Sequence, residues 1–448
     1  MLLMLKAGAA YCDITHDLGA TIQGATVSNI ADSVRDLLTA NALYLKSDAD
    51  EANPVQLLLI SCDLACIDTL QVARYRSKIA EAAGLPEQAI LIGTTHTHNG
   101  PSVYPTNYQK QIDITYLNRL GVWLVKLAQA AVADAKPAEL AWGQGHAKIG
   151  YNRRCCWADG SHSMHGDTKR QDFIGMEGPD DDTHTMLAVR DENQQLIALM
   201  QANTSHPTNF YGKQFYSADF PGLSRAQLQQ ALGDIPILFF NGALGDIASS
   251  DMTAPVPGVE SADRRIARIA HALTSQSLFL LYHATWSDNP SINHTQNELT
   301  VPVRMPADDV LEQAKALLVK VDQGQDADIK PMDIALAHGT KLLAETFGEN
   351  AQDVLSMHAI RIDDLALVSQ PCELFCQYGL DIRRRSPAKA TAILGLVDGY
   401  HGYCPTPAAI MGGGYSGQPI YWTRLATTAG DAIVDNASRL LRGLWKNG

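Results

Sequence analysis

The sequence predicts an α/β fold: a mixed β-sheet core flanked by helices, in a single large catalytic domain over 1–448, with the site at the C-terminal ends of the strands. Three observations predict it. Apolar runs of strand length alternate with stretches of helical period through the first half of the chain. Several of those runs end in clusters of polar side chains, the place where open α/β sheets bind ligands. No Pro/Ser-rich linker, low-complexity tract or fixed-period repeat divides the 448 residues.

Taken in order, strands are expected over 57–62, 89–93, 186–189, 196–200 and 235–240, each a short apolar run bounded by turn or polar residues. Helices are expected over 69–83 and 116–133. Asp219-Phe220-Pro221 reads as a helix start with Asp219 as its cap, followed by the periodic Leu223, Ala226, Leu228 and Leu232. A longer helix follows over about 262–281, with Ile266, Ile269, Ala270 and Leu273 on one face. The segment 306–348 reads as a helical insertion. Strands return at 358–362 and 365–369, and a last helix falls within 423–444, where Gly430 works against it.

Composition narrows the function classes. With 46% hydrophobic and 19% charged residues the chain can bury a sizeable core, and a formal charge of −13 disfavours nucleic acid or an anionic membrane as partner. Before Lys6 the apolar start is too short for a secretory signal, and no apolar run reaches about 18 residues. A cytoplasmic protein without stable membrane association is expected; a homo-oligomer is compatible with it. The eight cysteines form no Cys-x-x-Cys and no disulfide framework, so reduced thiols are expected.

The polar strand ends carry the chemistry. Thr95-His96-Thr97-His98-Asn99-Gly100-Pro101 follows the run ending at Gly93, with both imidazoles expected on one strand face. His206 follows the run ending at Met200, Asn241 to Asp246 the run ending at Phe240, and Pro371-Cys372-Glu373 the run ending at Ser369. Two histidines and a glutamate from separate strand ends would suit zinc with a position left for water or substrate. Plainer readings stand beside this one: hydrogen-bonded core histidines, and His206 and Glu373 as helix caps.

These segments resemble the catalytic domain of the neutral/alkaline ceramidases. The similarity runs through Ala7-Gly8-Ala9-Ala10-Tyr11-Cys12-Asp13-Ile14-Thr15, 34–43, 95–101, Asn152-Arg153, 241–246, Pro371-Cys372-Glu373, 395–403 and Tyr415-Ser416-Gly417, in the family's order. The resemblance implies one catalytic Zn2+ held by His96, His206, Glu373 and Tyr403. It implies His98 as proton carrier, and Arg153 and Tyr415 as hydrogen-bond donors to the oxygen of a tetrahedral intermediate. On the residues alone, Tyr403 reads as a core aromatic and Arg153 as half of a surface pair with Arg154. Asp246 is expected to fix its Gly-rich loop through backbone N–H groups.

Two departures bear on the substrate and the nucleophile. Where family ceramidases carry a serine after the Gly-Asp-x element this chain has Ala248, with Ser249 out of register by one, which disfavours an acyl-enzyme and leaves metal-activated water. The secretion signal and immunoglobulin-like C-terminal domain of the ceramidases have no counterpart in the sequence. The expectation is therefore a zinc-dependent hydrolase of a carbon–nitrogen bond in a small soluble amide rather than in ceramide. An esterase or lactonase on the same site, and a catalytically silent metal-containing binding protein, are the alternatives.

Overall fold

Strands buried on both faces build the core. The computed structural model of the protein describes residues 5–24, 29–48, 54–104, 112–254, 260–348 and 350–446; the apolar start at Met1–Met4 lies outside them. The first sheet comprises β1 (Leu5–Asp13), β2 (Thr39–Ser47), β3 (Val55–Cys62), β4 (Ile90–Thr94), β5 (Lys136–His146), β6 (Thr183–Asp191), β7 (Leu196–Asn203) and β8 (Ile237–Asn241). Its order is β8-β7-β6-β5-β1-β2-β3-β4. Pairing is parallel between β7 and β8 and between β3 and β4, and antiparallel in the middle. A second sheet holds β9 (Ile292–Pro302), β10 (Gln352–Ile362), β11 (Leu365–Gln370) and β12 (Ala390–Gly395), in that order, the last pair parallel.

The pleat sorts side chains into layers. From β3 and β4, Leu58, Ile60 and Ile92 meet Tyr75 of α1 (Thr69–Ala83) and Leu120 and Leu124 of α2 (Ile114–Ala133). From β6 and β7, Met186 and Leu199 meet Leu228 of α3 (Asp219–Leu232) and Leu280 of α4 (Ala262–His283). The alternate residues Leu59, Leu91, Leu238 and Phe240 face the second sheet through Ile360, Leu367 and Leu394. The outer side of that sheet, Val368 and Ile393, is covered by α7 (Cys376–Arg385) and α9 (Ala429–Lys446), while α5 (Asp308–Asp322), α6 (Pro331–Thr346) and the short α8 (Pro407–Gly412) lie between. The expected mixed sheet is thus two stacked sheets in an α/β/β/α arrangement.

Most expected elements are present, and the differences have physical causes. Helix α3 has no side-chain cap: Asp219, at φ +55°, instead accepts N–H bonds from Asn209 and Phe220. Its buried face runs through Phe220, Ser224 and Leu228, whereas Ala226 is exposed, because Arg225 turns inward to an ion pair with Asp63. The 306–348 segment is helical, as α5 and α6 between the antiparallel partners β9 and β10. Gly430 sits in the first turn of α9, where a Cβ would lie 2.1 Å from the Tyr378 ring; close packing, not propensity, chose it. All eight cysteines are free thiols, and among the described residues no helix is long and apolar enough to cross a membrane.

Phe240 is fully buried where the two sheets meet. Phe240→Ala should therefore destabilise the fold by about 3–5 kcal/mol, read as a lowered urea midpoint at unchanged m-value.

Candidate metal centre

The ends of β4, β7 and β11 bring His96, His206 and Glu373 together, with Nε2, Nε2 and a carboxylate oxygen within 4.8 Å of one another and all three residues buried. His206 Nε2 lies 2.9 Å and His96 Nε2 3.5 Å from Glu373 Oε2. The strand ends at Thr94, so the imidazoles of His96 and His98 do not meet by pleat alternation. They meet because His96 adopts φ +69°, an unusual backbone for a branched ring side chain, which folds its ring back. That conformation places His96 Nδ1 2.6 Å from the Ala65 carbonyl and Nε2 3.3 Å from His98 Nε2.

The donor chemistry fits a cation. His206 Nδ1 lies 2.8 Å from the Ile247 carbonyl. Each Nδ1 faces a carbonyl oxygen and so carries a proton there, which leaves Nε2 as the atom each ring presents to Glu373. Positive charge beside the carboxylate is also supplied by the Arg153 guanidinium. Its Nη2 donates to His206 Nε2 at 2.9 Å, the Gly245 carbonyl at 2.9 Å and the Tyr403 hydroxyl at 3.2 Å. Two nitrogen donors and one carboxylate oxygen are a donor set that zinc accepts, and ligands about 2.0–2.2 Å from one tetrahedral ion stand about 3.4 Å apart.

Burial sets the electrostatics. It holds the His98 imidazole well below its usual range, helped by His96 and His206, and brings His206 to about 3, helped by the charge of Arg153. Burial alone would raise Glu373, but the two histidines outweigh it and keep the carboxyl well below its ordinary value. The Tyr403 phenol is pushed well above its ordinary value by burial and the neighbouring Glu373.

The remaining site residues converge as well. Tyr403 pairs with Glu373 in a two-residue parallel bridge, and its ring packs edge-on against Tyr415 at 5.6 Å. The pair Arg153-Arg154 is buried rather than on the surface. Arg154 donates to Glu177, to Ser416 Oγ and to the carbonyls of Ala409 and Gly413, which fastens the loop carrying Tyr415. Asp246 accepts backbone N–H groups as expected, that of Cys376 at the start of α7 and its own, together with the Asn152 amide, so it also ties the Gly-rich loop to two other segments. Burial raises its carboxyl to about 6. His206 and Glu373 cap no helix. Tyr400, a residue of the 395–403 motif with no role read from sequence, donates its hydroxyl to Glu373 Oε1 at 2.6 Å; nothing in residue type or spacing singles it out.

Two cavities meet at these residues. One, lined by Ala65, Cys66, His96, Glu373 and Tyr400, reaches the carboxylate; the other is an open cleft of about 1290 Å³ counted out to solvent, and both share Gly24, His98, Tyr403 and Tyr415. Ala248 lines the cleft, whereas Ser249 is buried with its hydroxyl on Asn209 Oδ1.

A buried His-His-Glu centre at the floor of a cleft, built from strand ends of an α/β/β/α sandwich, defines the class of architecture. The particular fold is that of neutral ceramidase. The structure superimposes on the neutral ceramidase from Pseudomonas aeruginosa with a TM-score of 0.74 at 15% identity, over 99% of this chain and 75% of that one. It superimposes on a ceramidase complexed with C2 with a TM-score of 0.73 at 15% identity, over 99% and 76%. No protein-family model matches the chain, and no curated protein matches it. The likeness first read from short motifs therefore holds at the level of the fold.

The protein should take up about one zinc ion per chain in elemental analysis, and His96→Ala should weaken that uptake at least about 100-fold. A Cβ on Gly245 would lie 2.3 Å from the Glu373 carbonyl. Gly245→Ala should thus lower metal content although all three candidate ligands are retained.

Proposed function

We propose that the protein is a zinc-dependent hydrolase that cleaves the carbon–nitrogen bond of a small soluble amide. The observation that carries this reading is the set of three buried acceptors, His96 Nε2, His206 Nε2 and a Glu373 carboxylate oxygen, at the floor of a solvent-open cleft in a neutral-ceramidase fold. Tyr403 is proposed as the fourth ligand, since its hydroxyl lies within the same hydrogen-bond cluster. A zinc ion held there would supply Lewis acidity and lower the pKa of water.

The chain's own groups divide the rest of the work. His98, neutral at rest because it is buried, takes a proton at Nε2 and delivers it to the departing amine. Arg153 lines the cleft and keeps an Nε–H without a partner, so it has a donor to offer the oxygen that gains charge as the carbonyl becomes tetrahedral. Tyr415 lines the same cleft and supplies a hydroxyl from the opposite loop. With alanine at 248 and Ser249 turned into the core, the attacking group is water rather than a serine.

The zinc-loaded protein should hydrolyse members of an N-acyl amide panel, with matched esters run in parallel. His98→Gln should retain zinc and lose about 10²–10⁴-fold in kcat. Turnover of esters alone would reassign the activity to an esterase or lactonase. A zinc-loaded protein inert to both panels, yet raised in Tm by one ligand, would make it a binding protein.

A further inference from the structure

The cleft above the metal residues has a charge pattern that the proposed hydrolysis does not itself require. Among the described residues that line it, the ionisable side chains are His98, Arg153, His165, Arg265 and the tyrosines 211, 403 and 415; no carboxylate is among them, Glu373 lining the smaller cavity that adjoins it. This holds in a chain with a formal charge of −13.

Arg265 is the cation not accounted for by the metal centre. It projects from the first turn of α4 into the cleft wall, with its side chain one-fifth exposed. Its Nη2 donates to the Glu260 carbonyl at 3.0 Å, and its Nε, buried without a hydrogen-bond partner, lies 3.7 Å from the Glu260 carboxylate. Glu260 is shared rather than dedicated to it: the carboxylate that pairs with Arg265 also accepts both Nε and Nη2 of Arg268 at 3.0 and 3.1 Å and feels Arg264. One carboxylate thus serves three guanidinium groups. Asp167, Asp251 and Glu260 line an adjoining cleft that shares His165, Ser250 and Arg265 with this one. Asp251 is turned to its own loop, accepting from Thr253, and Asp167 accepts the Lys169 N–H. Met164, Ala248 and Met332 supply apolar wall in the same cleft.

We infer that Arg265 is a specificity residue and that the amide substrate carries a carboxylate, which Arg265 pairs with across a short apolar span from the scissile bond. The inference rests on the amide-hydrolase reading above and adds the substrate class to it. A guanidinium recognises a carboxylate by charge-assisted hydrogen bonds, and Ser250 and Thr208 offer hydroxyl donors in the same cleft. A cleft whose charged lining residues are Arg153 and Arg265 also concentrates anions, a contribution that salt screens.

The test compares N-acyl amino acids with their carboxamide counterparts, equal in length and uncharged, on the zinc-loaded wild type and on Arg265→Gln and Arg265→Lys. The expected result is a preference for the carboxylate substrate in kcat/KM, carried by KM and reduced by added salt. Arg265→Gln should cut that preference on the order of tenfold to a hundredfold, and Arg265→Lys should restore part of it. Equal rates on charged and uncharged amides in the wild type, or a preference unchanged in Arg265→Gln, would overturn the inference while leaving the amide-hydrolase reading intact. Absence of turnover on either would overturn that reading instead. In that case calorimetric titration of N-acyl amino acid into wild type and Arg265→Gln still decides the inference: binding lost in the variant supports it, and equal or no binding refutes it. Should Arg265→Gln fail to fold, the wild-type preference and its salt dependence decide it.

Discussion

The group on which the rest of the site depends is the buried carboxylate of Glu373. An ionised carboxyl removed from water is costly unless it is paired and hydrogen-bonded. Here one oxygen accepts the Tyr400 hydroxyl, and the other faces the Nε2 atoms of His96 and His206. Each imidazole is in turn fixed by a backbone carbonyl, of Ala65 or Ile247. Every one of these partners comes from a different strand end, so holding one charge in place fixes the relative position of β4, β7, β11 and the 395–403 loop. Stability and the candidate site are coupled at this point, because the geometry that makes the carboxylate tolerable also gathers three ligand atoms about a common volume.

The supporting shell explains why motifs far apart in the chain occur together. Arg153 and Arg154 are adjacent in sequence, yet they point to different tasks. Arg153 reaches His206, Gly245 and Tyr403 at the centre, and Arg154 clamps the loop of Ser416 against Glu177. Asp246 joins Asn152, just ahead of that pair, to the first turn of α7 that follows Glu373. Loss of any one of these links would loosen side chains it does not touch, which is the expected behaviour of a polar network buried at low dielectric.

The sequence made the strands and helices with regular apolar period legible, together with the residues that end them. Helices α1, α2 and α4 and strands β3, β4 and β7 lie close to where their patterns placed them. Strands β1, β2, β5, β9 and β12 were not read from the sequence: β1, β2 and β12 carry several alanines or glycines among their apolar positions, and β5 and β9 mix polar and charged residues into their runs. Stacking of a second sheet on the first followed from no local pattern, since both faces of a buried strand read as one apolar run. At the site, the residue types His, His and Glu at strand ends were enough to suggest a cation, whereas Tyr403 and Arg153 drew their roles from resemblance. Tyr400 and the carbonyls of Ala65 and Ile247 act through position alone, and backbone acceptors leave no trace in side-chain identity.

The one-residue offset between Ala248 and Ser249 decides which side chain faces the cleft. Residues 247–248 pair antiparallel with 151–152, and an extended segment alternates its side chains. Ala248 and Ser250 therefore line the cleft, while Ser249 is turned to Asn209, which Asp219 in turn holds. A hydroxyl at 248 would stand beside the imidazoles; at 249 it is a structural hydrogen-bond donor, and moving it to the cleft would require slipping the strand and breaking the Asn152 and Ile247 pairing. Under the hydrolase reading proposed above, alanine at 248 beside the buried His-His-Glu group leaves the nucleophile to solvent, which the open cleft at Ala248 can admit.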